Sequence, residues 1–159
     1  MNRRGVLRWV VRGIGAATAA VLAVPAVATL FSPVWRYRRA PLWQPVGGLD
    51  DFPVQAVEKA VVSVPPEEAR PRTLAAKGVF VWRPDEQEVV VFSRNCTDLS
   101  CPVTWDPGSG WFFCPCHGGI FNEQGEPMAG PPPVPLYRYD ARVQNGVLEI
   151  DLHSVPPMS

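Results

Sequence analysis

The first 39 residues contain no acidic side chain, and residues 13–35 contain no charge of either sign. Such a segment does not behave as the surface of a soluble domain. Histidine occurs twice and cysteine four times in 159 residues, and all four cysteines fall within 21 residues of one another. That clustering excludes a diffuse disulfide framework, which would scatter them, and favours a metal or redox site. From residue 40 onward there are eight basic and fifteen acidic residues, a net of −7. A basic face is therefore missing from the body, which excludes nucleic acid as a partner and permits docking onto a basic protein. The body also lacks a convincing 3.6-residue apolar stripe, so it is not helical. There is no internal repeat, and the one low-complexity tract is "GPPPVP" at 130–135.

The basic N-terminal region carries seven arginines, at 3, 4, 8, 12, 36, 38 and 39. Between them "GIGAATAAVLAVPAVATLFSPVW", residues 13–35, is long enough as a helix to reach about 34 Å and span a bilayer. Pro25 interrupts it, which membrane helices tolerate. The preceding "NRRGVLR" resembles a twin-arginine export signal, the route of proteins that fold and take up a cofactor before export. "AVA" at 26–28 offers a small-x-small cleavage site, but the apolar run continues past it. The expectation is an uncleaved, single-pass anchor at 13–35 behind a basic segment at 1–12, with the head on the outer face of the cell membrane.

Residues 36–56, with Pro41, Pro45, Pro53 and a Gly-Gly pair, read as a linker. The head domain is expected over 57–159. It holds short runs rich in β-branched and aromatic residues: "KAVVSV" (59–64), "GVFVWR" (78–83), "EVVVFS" (88–93), "GWFFC" (110–114), "YRYDARVQ" (137–144) and "VLEIDL" (147–152). "RPDEQ" and "QNG" mark turns, Asn-Gly being the strongest short hairpin signal. The stretch 65–77 has room for one short helical turn. An all-β, antiparallel sandwich follows, with the cysteines in loops between strands.

The soft or borderline ligands are Cys96, Cys101, Cys114, Cys116 and His117. His153 lies after the last strand and reads as a solvated terminal residue. The spacing is C-x₄-C, twelve residues, then C-x-C-H, a poor match to zinc knuckles. Two plain disulfides would use every cysteine but leave His117 unexplained. A third arrangement divides the labour, one cysteine of each loop binding metal and the other two joining the loops.

"CTDLSC" (96–101) and "CPCHGG" (114–119) resemble the two boxes of the Rieske iron–sulfur proteins, C-T-H-L-G-C and C-P-C-H-G-S. The likeness continues through "PVTW", "GGIFNEQGEPMAGPPPVPL" and the anchor, and is strongest to the iron–sulfur subunit of bacterial quinol–cytochrome c reductase complexes. It implies a [2Fe–2S] cluster with Cys96 and Cys114 on one iron and His117 on the other. It implies a Cys101–Cys116 disulfide, allowed outside the cytoplasm, and a proline loop, "GPPPVP", over one side of the cluster. It implies an electron carrier rather than a stand-alone enzyme. Electrons would pass from a quinol, met by His117 beside a cytochrome b-type subunit, to a c-type cytochrome, within a complex that is dimeric or monomeric.

The boxes depart from the family at three places. Asp98 stands where the second histidine ligand belongs. Gly119 replaces a serine whose hydroxyl meets a cluster sulfur, and Phe121 replaces a tyrosine that meets a ligand thiolate. Lost hydrogen bonds to sulfur lower a cluster's potential. For Asp98 three outcomes stay open: a carboxylate ligand, a labile incomplete cluster, or a solvated loop residue in a Rieske-fold structural or assembly subunit without a cluster.

Overall fold

The computed structural model of the chain describes residues 2–31, 40–67 and 76–156. They fall into two units, residues 1–39 and 40–159. The first holds one helix, α1, Arg3–Phe31, long and apolar enough to cross a membrane. It begins ten residues before the anchor expected at 13–35, because arginine is a good helix former, residues 3–12 hold no proline, and the one glycine there, Gly5, lies in the first turn. Pro25 lies inside it. Residues 32–35 of the expected anchor, and 36–39 of the expected linker, lie outside the described residues.

Among its described residues the second unit is antiparallel β, with one short 3-10 turn at Leu49–Asp51 and eleven strands. These are β1 (Trp43–Gly48), β2 (Ala56–Ser63), β3 (Ala76–Arg83), β4 (Val90–Ser93), β5 (Thr104–Asp106), β6 (Trp111–Cys114), β7 (Gly119–Asn122), β8 (Pro127–Ala129), β9 (Arg138–Tyr139), β10 (Ala141–Gln144) and β11 (Val147–Asp151). They form three sheets, ordered β1-β11-β10, β2-β3-β4-β9 and β5-β6-β7-β8.

The sandwich is thus layered three deep, and the strand period of two explains how. Alternate side chains of a strand point to opposite faces. In β3, Val79 and Val81 enter one core with Leu148 and Ile150 of β11, while Phe80 and Trp82 enter another with Phe112 of β6 and Phe121 of β7. In β4, Val91 joins the first core and Val90 and Phe92 the second. The β2-β3-β4-β9 sheet is therefore the middle layer, which is why "VVFS" carries no exposed face.

The linker expected over 36–56 is corrected at residues 43–48, and with it the domain start expected at 57. Trp43–Gly48 pairs with β11 as an edge strand, and Leu42 and Val46 pack on the first core. Pro45 sits at a register shift between Pro45 and Gly47, the kind of edge position where a strand accepts proline. The buried Asp151 carboxylate accepts the Leu42 N–H at 2.8 Å, and buried Arg83 donates to the Phe52 carbonyl at 2.7 Å. The run 137–144 is two strands in different sheets, parted at Asp140. In the stretch 65–77, residues 66–67 form a turn and 76–77 open β3. The remainder, where a helical turn was expected, lies outside the described residues.

Asn145 and Gly146 close the β10–β11 hairpin with φ of 51° and 78°, the left-handed pair of a type I′ turn. Gly146→Ala should cost about 1–2 kcal/mol, the usual penalty of a Cβ in that region. The check is the thermal melt of the detergent-solubilised chain. An unshifted melt would mean the turn relaxes to another type.

Candidate metal centre

Both cysteine boxes are tight turns of the same design. In the first, Asn95 and Pro102 bridge as a strand pair, the Cys96 N–H donates to the Cys101 carbonyl at 2.8 Å, and the Ser100 N–H donates to the Cys96 carbonyl at 3.0 Å. In the second, Cys114 pairs with Gly119, and the Gly118 N–H donates to the Cys114 carbonyl at 3.1 Å. Each turn needs a residue with positive φ just before it closes, Ser100 at 58° and Gly118 at 72°. Glycine takes that conformation freely and serine does not.

The strand register decides which cysteines face inward. Cys114 follows Phe112 by two along β6, so both side chains point into the second core, where Cys114 is 3% exposed. Cys96 is 1% exposed in the same core. Cys101 and Cys116 instead join the two turns as a disulfide, as the resemblance implied. The sulfurs of Cys101, Cys114 and Cys116 lie within 4.8 Å of one another. Two of these are consumed by the disulfide, so the sulfur donors left for a metal are the free thiols of Cys96 and Cys114.

Those thiols touch. Burial pushes the Cys96 thiol above its ordinary pKa, the Asp98 backbone N–H hydrogen-bonded to its sulfur opposes this, and the Cys114 thiol and Asp98 charge add to the rise. A buried thiol held protonated is a poor nucleophile, which argues against thiol catalysis. Two such thiols together suit a metal, whose binding displaces their protons.

On the outer side, Asp98 Oδ2 and His117 Nδ1 stand 3.0 Å apart. His117 is 48% exposed and Asp98 26%. Among the described residues the Nε2 of His117 makes no hydrogen bond. Four of the candidate ligands thus fall into two pairs on the joined turns, two buried thiols and a more exposed carboxylate with an imidazole. His153 is not among them, and the expectation of a solvated terminal residue is corrected. It is half-buried, and its Nδ1–H donates to the Ala40 carbonyl at 2.8 Å, binding the end of the body to its beginning.

The proline loop closes against both boxes. The Thr97 hydroxyl donates to the Val134 carbonyl at 2.7 Å. Pro132 is buried over Gly119: a Cβ there would stand 2.6 Å from Pro132 Cγ and 3.3 Å from Cys114 Cβ. Gly130, at φ 88°, brings its backbone onto Gly118, and a Cβ on it would meet the Gly118 carbonyl oxygen at 2.7 Å. The absence of a serine side chain at 119 thus has a steric partner, which spacing along the chain could not reveal. Phe121, fully buried beside Phe92 and Phe112, packs as core and brings no hydroxyl.

A β-domain whose two disulfide-joined turns carry paired buried thiols and an imidazole belongs to the class of metal-centred domains. The chain is a member of the Rieske [2Fe–2S] domain family, which matches residues 54–141. It is 30% identical over 152 residues to the cytochrome b6-f complex iron–sulfur subunit of Chlorobaculum thiosulfatiphilum, covering 90% of this chain and 71% of that one. It is 26% identical over 152 residues to the menaquinol:cytochrome c reductase iron–sulfur subunit of Geobacillus thermodenitrificans, covering 93% and 89%. The plasma membrane Rieske protein PetC3 of Synechocystis PCC 6803 shares the fold, with a TM-score of 0.51 at 23% identity over 67% of this chain and 97% of that one.

Proposed function

We propose that this chain is the membrane-anchored electron-transfer subunit of a quinol–cytochrome c oxidoreductase. The observation that carries the reading is the contact of two buried free thiols, Cys96 and Cys114, on disulfide-joined turns that also carry the half-exposed His117. The naming of the relatives as subunits of quinol-oxidising complexes supports it.

A [2Fe–2S] cluster, when bound, supplies one-electron chemistry. Cys96 and Cys114, both buried, would hold one iron away from water, and His117 would hold the other. The Nε2 of His117 would then be free to meet a quinol hydroxyl and take its proton. The acidic body favours a basic docking face on its cytochrome partners. Helix α1 spans the membrane once, with the body on the outer face after twin-arginine export.

The test is a count of iron and acid-labile sulfide on the full chain purified anaerobically in detergent, with an EPR spectrum after dithionite reduction. Two irons and two sulfides per chain with a rhombic signal are expected. Iron-free, EPR-silent protein with an intact Cys101–Cys116 bridge would make the chain a structural subunit instead.

A further inference from the structure

Cys96, Cys114 and His117 leave one position of a four-residue donor set to account for. We propose that Asp98 fills it, ligating the outer iron through Oδ2, so that the cluster is held by two cysteines, one histidine and one aspartate. The assignment rests on the cluster-bearing reading above and deepens it.

Four observations converge on Asp98. Its Oδ2 stands 3.0 Å from His117 Nδ1. Two donors on one tetrahedral metal, each about 2.0 Å from it, stand roughly 3–3.5 Å apart, so the pair is spaced to share an ion. Its backbone is fixed to the inner half of the site, because the Asp98 N–H hydrogen-bonds to the Cys96 sulfur. Its loop is held against the second box by the disulfide and against the proline loop by the Thr97–Val134 hydrogen bond, which ties the backbone that carries the carboxylate. Finally, among the described residues the carboxylate's ion-pair partner is His117, with no lysine or arginine of that set paired to it. A carboxylate is a hard anionic oxygen donor, and ferric iron accepts oxygen readily.

The charge consequence is definite. Two ferric ions, two sulfides and two thiolates balance to zero, and neutral imidazoles leave that balance alone. A carboxylate makes the oxidised centre singly negative and the reduced centre doubly negative, with one electron added and no atom exchanged. Reduction of a more negative centre is harder, so the potential lies below that of a two-histidine centre. With Gly119 and Phe121 withholding two hydrogen bonds from the sulfur atoms, all three departures push the same way. Such a carrier suits a low-potential quinol donor.

Three proteins test this: the wild-type chain, Asp98→Asn and Asp98→His. Asparagine keeps the shape and a hydrogen bond to His117 but loses the anionic donor. The readouts are iron and sulfide per chain, ¹⁴N couplings by pulsed EPR on the dithionite-reduced protein, and midpoint potential by redox titration. Thermal melts and free-thiol counts confirm that each variant folds with its disulfide. The expected result is a wild-type chain with two irons and one strongly coupled imidazole nitrogen. Asp98→Asn should lose at least half of its iron, and Asp98→His should keep two irons, show two coupled nitrogens and titrate at a higher potential. Two coupled nitrogens in the wild type overturn the assignment. So does Asp98→Asn with unchanged iron, couplings and potential, which would reduce Asp98 to a hydrogen-bond partner of His117. Iron-free wild-type protein overturns the carrier reading itself, and the assignment falls with it.

Discussion

Replacing Cys101 and Cys116 together with serine should destabilise the body by about 3 kcal/mol, the loop-closure value for a bridge across about 15 residues. The sequence separation here is 15. On a body of this size that corresponds to a fall in melting temperature of roughly 10 °C. The bridge also does local work. It is the covalent tie between the two turns that hold Cys96 and Cys114, and without it each turn depends on its own few backbone hydrogen bonds. Iron content should therefore fall further than stability alone requires. Melts of the serine variant and of reductant-treated wild type should coincide. A variant melting with the oxidised wild type would mean that the turns are held by packing and the proline loop alone.

Gly119→Ser should lower stability by about 1–3 kcal/mol, the range for forcing extra atoms into a packed site. This substitution restores the residue that the family box carries, yet here its Cβ meets the buried ring of Pro132 at 2.6 Å. Pro132 cannot retreat freely, because Gly130 rests on the Gly118–Gly119 backbone and Thr97 holds the Val134 carbonyl. The partner variant Pro132→Ala removes the obstructing atom. In a double-mutant cycle read by thermal melts, Gly119→Ser in the Pro132→Ala background should cost at least 1 kcal/mol less than in the wild type. Strictly additive losses would show that the clash is relieved elsewhere. A serine grafted into this box without its matching loop is not a repair.

These two sites show where the amino-acid sequence was informative and where it was not. Strands β3 and β4 were legible because Val, Phe and Trp recur in unbroken runs, and β11 because Leu148 and Ile150 alternate with acidic residues right after an Asn-Gly turn. Strand β1 was not, because Pro45 and Gly47–Gly48 are the residues of a linker as much as of a bulged edge strand, and only the pairing with β11 decides between them. Strands β5, β7 and β8, of three to four residues, sit inside or beside the boxes, where Gly and Pro mask their alternation. At the site, the residues were identifiable from the resemblance of the two boxes, and the disulfide partners came from the same source. The 3.0 Å approach of Asp98 to His117 was not legible, since the two are 19 residues apart and only the disulfide and strand register bring them together. Likewise nothing in "GPPPVP" announces that Pro132 occupies the volume that residue 119 leaves empty. His153 was misplaced because a histidine near a chain end carries no sign of the Ala40 carbonyl it binds.

The middle sheet has an effect that reaches beyond architecture. Strands β3 and β4 send alternate residues into both cores, so neither core can be opened without removing one wall of the other. A body built from two independent layers could lose one and keep the second as a partly folded remnant. Here the shared wall couples the two cores, so the loss of one exposes a face of the other. Cys96 and Cys114 belong to the second core, so a change in the β1-β11-β10 sheet reaches them through the middle sheet rather than by contact.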